Sequence, residues 1–136
     1  MSNVTVLDAS AIIAFLQAEP GSEVVGQALH SQRCVVSVAN QAEVISKAMD
    51  RGAETEAIKT ILADLAYQVV DIPVGDGEQA GWMRGATRSM GLSLGDRLCL
   101  ALAQRLKARV LTADRAWLGV SETLSLDILC IRPSSH

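Results

Sequence analysis

Aromatic side chains are scarce: Phe15, Tyr67, Trp82 and Trp117 are the only four in 136 residues. That argues against the stacking platform on which single-strand binders lay successive bases. Basic charge is also short, with 12 Lys and Arg against 15 Asp and Glu and a net charge of -3. The global field therefore repels a phosphate backbone, and any nucleic-acid contact must rest on a local basic rim or a bound cation. The three cysteines, Cys34, Cys99 and Cys130, form no C-x-x-C pair, and their odd number suits no closed disulfide framework; each is expected as a buried thiol. Histidine is confined to His30, at a helix end, and His136, in the tail, both expected on the solvated surface. The phosphate loop G-x-x-x-x-G-K-[ST] and the dinucleotide fingerprint G-x-G-x-x-G are both missing, which leaves nucleotide-driven chemistry unsupported. No apolar run is long enough to cross a bilayer, and Met1-Ser2-Asn3 lacks the basic start of a signal peptide. No membrane association is expected, and the chain reads as cytoplasmic.

What is present is an apolar fraction of 49%, too high for disorder, in a chain of one-domain length. A single domain over residues 1–132 is expected, followed by a frayed tail at 133–136. Val4–Leu7, Cys34–Val38, Gln68–Ile72, Arg109–Thr112 and Asp127–Ile131 read as strands. Helical spacing marks Ala11–Leu16, Ser22–Ser31 with Ser22 as its cap, Asn40–Arg51, Glu54–Tyr67 and Asp96–Lys107. Asp76–Met90 also reads as a helix, weakened by Gly77, Gly81 and Gly85 at about 1 kcal/mol each, which close packing against a neighbour would explain. Alternating strands and helices predict an α/β fold, a three-layer α/β/α sandwich around a mostly parallel sheet of four or five strands.

In such a fold ligands gather beyond the carboxyl ends of the strands. Asp8 directly follows the first strand, and Asp114 lies two residues past Thr112. Glu43 is expected in the first turn of the helix after the second strand. The helix opening at Asp96 runs back antiparallel to the strand at Arg109–Thr112, which returns Asp96 to the same edge. Each acid also has a plainer role, since Asp8 and Asp114 suit helix caps and both Asn40-x-x-Glu43 and Ser93-x-x-Asp96 resemble capping boxes. Capping, however, requires no common edge. Two carboxylates about 5 Å apart repel by roughly 3 kcal/mol at an effective dielectric near 20, so four together need protonation, an arginine or a cation. An all-oxygen donor set suits magnesium or manganese, and carboxylate-held ions of that kind support phosphodiester hydrolysis. The Ser10 and Thr112 hydroxyls stand beside Asp8 and Asp114, where they could orient a carboxylate or hold a metal-bound water. For Ser10, helix capping is an equal alternative.

The segments Val4-Thr5-Val6-Leu7-Asp8-Ala9-Ser10-Ala11, Asn40-Gln41-Ala42-Glu43-Val44, Leu92 to Ala103 with its G-D-R-x-C-L-A-L-A core, and Val110 to Trp117 with L-T-A-D-R-x-W resemble, in order and spacing, the PIN-domain ribonucleases. They are most similar to the VapC toxins of bacterial toxin-antitoxin operons. The resemblance spans nearly the whole chain. It implies that Asp8, Glu43, Asp96 and Asp114 bind Mg2+ or Mn2+ and cleave RNA, that the chain forms a homodimer, and that a small cognate antitoxin protein blocks the site.

The first functional expectation is thus a metal-dependent endoribonuclease, with Asp8, Asp96 and Asp114 as principal ligands and Glu43 as ligand or water-orienting base. Arg84, Arg88, Arg97 and Arg115 would contact RNA phosphates, or else form a solvated face. The alternative is a non-catalytic PIN-like protein-binding module whose acids take an arginine-bearing segment. A phosphatase with an aspartyl nucleophile at Asp8 ranks below both, because Ser10 stands where a second acid is wanted.

Overall fold

A computed structural model describes residues 3–133. Its centre is a five-stranded sheet of β1 (Val4–Leu7), β2 (Arg33–Ser37), β3 (Tyr67–Val70), β4 (Arg109–Thr112) and β5 (Ile128–Cys130), in the order β3-β2-β1-β4-β5. Every pairing is parallel. The expected fold class holds, with five strands rather than four.

The sheet is buried on both faces because its inner strands are short apolar runs whose side chains alternate. Val6, Val35 and Val110 enter one core, with Leu100, Leu102 and Trp117. Leu7, Val36 and Leu111 enter the other, with Ile12, Val25 and Val44. Helices α1 (Ala9–Leu16), α2 (Ser22–Ser31) and α3 (Val38–Asp50) cover the second face; α4 (Thr55–Ala63) leans on α3. The first face is covered by α5 (Val74–Trp82) and α7 (Leu94–Leu106), together with a 3-10 turn at Arg115–Val120; the short α6 (Arg84–Thr87) continues from α5.

Several expected boundaries move, each for a local reason. Ser22 does not cap α2: the cap is Gly21, at φ +97, where the chain presses against the backbone of Ile131 and a side chain would collide. The second strand ends at Ser37 rather than Val38, because the Ser37 hydroxyl accepts the Asn40 N–H and starts α3 two residues early. Helix α4 stops at Ala63, and Tyr67, expected at its end, opens β3 instead. The helix expected over Asp76–Met90 is three pieces: α5, α6 and a 3-10 turn at Arg88–Met90 that ends on Gly91 at φ +68. Nor do its glycines fit against a neighbour: a Cβ at Gly77, Gly81 or Gly85 would meet nothing within 4 Å. They weaken the helix without gaining a contact inside the chain, which is consistent with its breaking. Cys34 and Cys99 are buried as expected, while Cys130 is half-buried. His30 is exposed; His136 and the rest of the expected tail beyond Pro133 lie outside the described residues. Among the described residues no helix is long and apolar enough to cross a membrane.

Candidate active site

The strand order turns back on itself between β1 and β4, and the crevice beyond the carboxyl ends of those two strands is the topological switch point of the sheet. Asp8 leaves β1 there and Asp114 follows β4 by two residues. Helix α7 runs back to feed β4, so Asp96, in its first turn, starts from the same edge. Glu43 comes from α3, in its second turn rather than the first, because the helix opens at Val38.

Each carboxylate is held by its own element. Asp8 is 3% exposed and caps α1, accepting the Ala11 N–H at 2.8 Å. Its carboxylate also accepts the Ser10 hydroxyl at 2.8 Å and the Thr112 hydroxyl at 2.6 Å. The same two hydroxyls accept the N–H groups of Ala113 and Asp114, at 2.9 and 3.1 Å. Ser10 is therefore no cap; with Thr112 it couples the end of β1 to the loop after β4. Asp96 completes a capping box, accepting the Ser93 N–H at 2.9 Å, and Asp114 caps its 3-10 turn through the Ala116 N–H at 3.0 Å. The box expected from Asn40 to Glu43 does not form: Ser37 is the cap and Asn40 the partner, and the Asn40 amide in turn donates to Glu43 at 2.7 Å.

These acids feel one another. Burial pushes the Asp8 carboxyl up to about 6 from its ordinary 3.8, against the hydrogen bonds from Thr112, Ala11 and Ser10, and the charge of Asp96 adds to the rise. Asp96 is also raised, chiefly by burial, with the Ser93 hydrogen bonds and the charge of Arg97 opposing and the charge of Asp114 reinforcing it. Cys99, one turn along α7, is pushed well above its usual range by burial and then by Asp8, Asp96 and Glu43, so it stays a neutral thiol on the floor of the cluster. None of the four acids has a Lys, Arg or His within salt-bridge distance among the described residues.

The acids share a neighbourhood without closing a cage. Among the described residues no three His, Cys, Asp or Glu side chains converge tightly enough to hold an ion. The local reason is visible in the hydrogen bonds, since each carboxylate is drawn toward its own cap or helix neighbour. The donor set nevertheless fits a hard cation. Asp96, Asp114 and Glu43 each commit one oxygen locally and keep another that accepts no hydrogen bond from the described residues. Three free carboxylate oxygens beside a buried Asp8 whose charge is costly, with no salt bridge among the described residues, are what Mg2+ or Mn2+ would complete.

The four arginines divide. The Arg97 guanidinium donates to the Ala80 carbonyl at 2.9 Å, with its Nε buried and unpartnered, and Arg115 donates to the Arg132 and Pro133 carbonyls. Arg84 and Arg88 are exposed and have no hydrogen-bond or ionic partner among the described residues. Two residues at the site escaped the sequence reading. Asn40 was read only as a cap, although Ser37, Asn40 and Glu43 recur at a spacing of three, which stacks them on one helix face. Gly95 also matters, because a Cβ there would come within 2.6 Å of the Glu43 carboxylate.

A search among curated proteins finds no match. Solved structures do resemble the chain. A toxin-antitoxin complex from Klebsiella pneumoniae aligns with a TM-score of 0.71 at 17% identity, over 96% of this chain and 99% of that one. VapC20 of Mycobacterium tuberculosis, described as a Sarcin-Ricin loop cleaving toxin, aligns at 0.73 and 13%, over 95% and 99%. VapBC-1 from nontypeable Haemophilus influenzae aligns at 0.67 and 20%, over 94% and 98%. At these identities the likeness establishes the shared fold. The sequence profile of the PIN domain matches residues 5–122, a span that takes in all four acids, and the chain belongs to the PIN domain family.

Proposed function

We propose that this protein is a metal-dependent endoribonuclease that hydrolyses RNA phosphodiester bonds and acts as the toxin of a type II toxin-antitoxin pair. The observation that carries the reading is the electrostatic coupling of Asp8, Asp96 and Asp114 beside the β1/β4 switch point, with no salt bridge to any of them among the described residues. Membership of the PIN domain family supports it, as does the fold shared with proteins whose descriptions name toxin-antitoxin complexes. In this reading Asp8, Asp96 and Asp114 hold the ion, and Glu43 either joins them or orients the attacking water. Bound there, Mg2+ or Mn2+ would acidify a water and offset charge on the phosphate under attack.

The chain's own groups do the rest. Ser10 and Thr112 donate to Asp8 and fix the plane of its carboxylate. Arg84 and Arg88, free on the surface, suit contacts to RNA phosphates flanking the cut; Arg97 and Arg115 reach phosphate only by giving up their carbonyl partners. The functional unit is a cytoplasmic homodimer, silenced by a small antitoxin protein.

The test is cleavage of RNA by purified protein with Mg2+ or Mn2+, beside Asp96→Asn. The substitution removes a charge but leaves an oxygen to accept the Ser93 N–H, so the fold should survive while cutting is abolished. Folded wild-type protein that leaves RNA intact with either ion, or an Asp96→Asn variant that cuts as well as wild type, overturns the assignment.

A further inference from the structure

Asn40 is 1% exposed and lies among polar groups from three places in the chain. Its oxygen accepts the Ser37 hydroxyl at 3.0 Å, and its amide nitrogen donates to Glu43 Oε1 at 2.7 Å and to the Gly95 carbonyl at 3.2 Å. These contacts fix the amide's orientation: reversed, its oxygen would face two acceptors and its NH2 group would have neither partner. Ser37 is itself fixed, since its oxygen accepts the Asn40 backbone N–H at 3.2 Å. One side chain thus joins the carboxylate of Glu43, on α3, to the backbone of the α7 turn that carries Asp96. On the other side, Glu43 lies over Gly95 so closely that a Cβ there would stand 2.6 Å from Oε2 and 2.8 Å from Oε1. Real Cβ atoms do not come so close, so the carboxylate occupies its place only because residue 95 has no side chain.

From this geometry we infer that Asn40 and Gly95 are positioning residues for Glu43, the one drawing the carboxylate against the first turn of α7 and the other leaving room for it. The inference rests on the reading of Glu43 as part of a metal site. Buried outer partners that orient a ligand typically change metal affinity by 10- to 100-fold when removed.

The two residues can be tested from opposite sides. Asn40→Ala releases the carboxylate, and Gly95→Ala displaces it while leaving Asn40 in place. Because the displaced group is the end of a flexible side chain, Gly95→Ala leaves folding intact, and alanine is the better helix former. Mn2+ affinity, read from the free-ion signal in electron paramagnetic resonance, should fall about tenfold or more in each variant. In a Glu43→Ala background neither substitution should lower it further, whereas a merely structural role would cost the same in both backgrounds. If Asn40→Ala fails to fold, Gly95→Ala decides alone. Wild-type binding with unchanged affinity in Gly95→Ala, or a loss that persists without Glu43, overturns the positioning role. Failure of the wild-type chain to bind Mn2+ overturns the metal reading, and this inference with it.

Discussion

Asp8 carries the largest electrostatic cost described at the site. Its carboxyl is held at about 6 when folded against 3.8 in the unfolded chain, so between those values the folded form binds the extra proton. Stability from this group is complete below pH 4 and is lost as pH rises through 6, a loss of up to about 3 kcal/mol by neutrality at 1.36 kcal/mol per unit. In chelator, Asp8→Asn should therefore be more stable than wild type at pH 7 and gain little at pH 4; urea melts at the two pH values measure the difference. Equal or lower stability at pH 7 would show that the carboxylate's hydrogen bonds outweigh its burial. Asp8, Asp96 and Asp114 were legible in the sequence because each follows a strand end or opens a helix; Glu43 was placed one turn too early. Ser10 beside Asp8 was legible too, as a hydroxyl that could orient a carboxylate; the pairing of Thr112 with Asp8 and of Ser10 with the Ala113 N–H was not, since those bonds join residues about a hundred positions apart.

Among the elements, α7 was the easiest to foresee: Ser93 and Asp96 form the box their spacing suggested, and the apolar run from Cys99 to Ala103 is buried in the core, with Leu98 and Leu106 packed against it. Helix α5 was harder, since its glycines weigh against helix and no contact within the chain compensates. Gly77 lies inside α5 at an ordinary φ with nothing within 4 Å of a Cβ. Gly77→Ala should therefore stabilise the protein by about 0.5–1 kcal/mol, through backbone entropy alone. A shift in the urea midpoint at constant slope checks this; destabilisation would mean that the face is already occupied by a partner in solution. The displaced start of α3 has a similar origin. Ser37 was read as the interior of a strand running to Val38 because valines flank it, yet its hydroxyl can cap, and the capping interaction prevailed.

At the scale of the whole molecule, alternation along the chain announced the layers but not the strand order, because crossovers leave no trace in local periodicity. That order puts the ends of β1 and β4 side by side, and it is why acids so distant in sequence share one field. A cation that relieves this field must raise stability, by about 2.7 kcal/mol at a hundred times its dissociation constant. Thermal unfolding at pH 7 should accordingly rise with Mn2+, and the rise should vanish in Asp8→Asn and Asp114→Asn alike. A chain indifferent to Mn2+ would favour the protein-binding module, whose acids await an arginine rather than an ion.

The pairing of β1 with β4 also bears on the chain while it is being made. Until residues 109–112 leave the ribosome, β1 is the outer edge of a half-sheet, and Asp8 lacks the Thr112 hydroxyl that holds it. A nascent or prematurely terminated product without β4 therefore has neither Asp114 nor the Thr112 bond to Asp8, and under the proposed function it would lack a cutting centre.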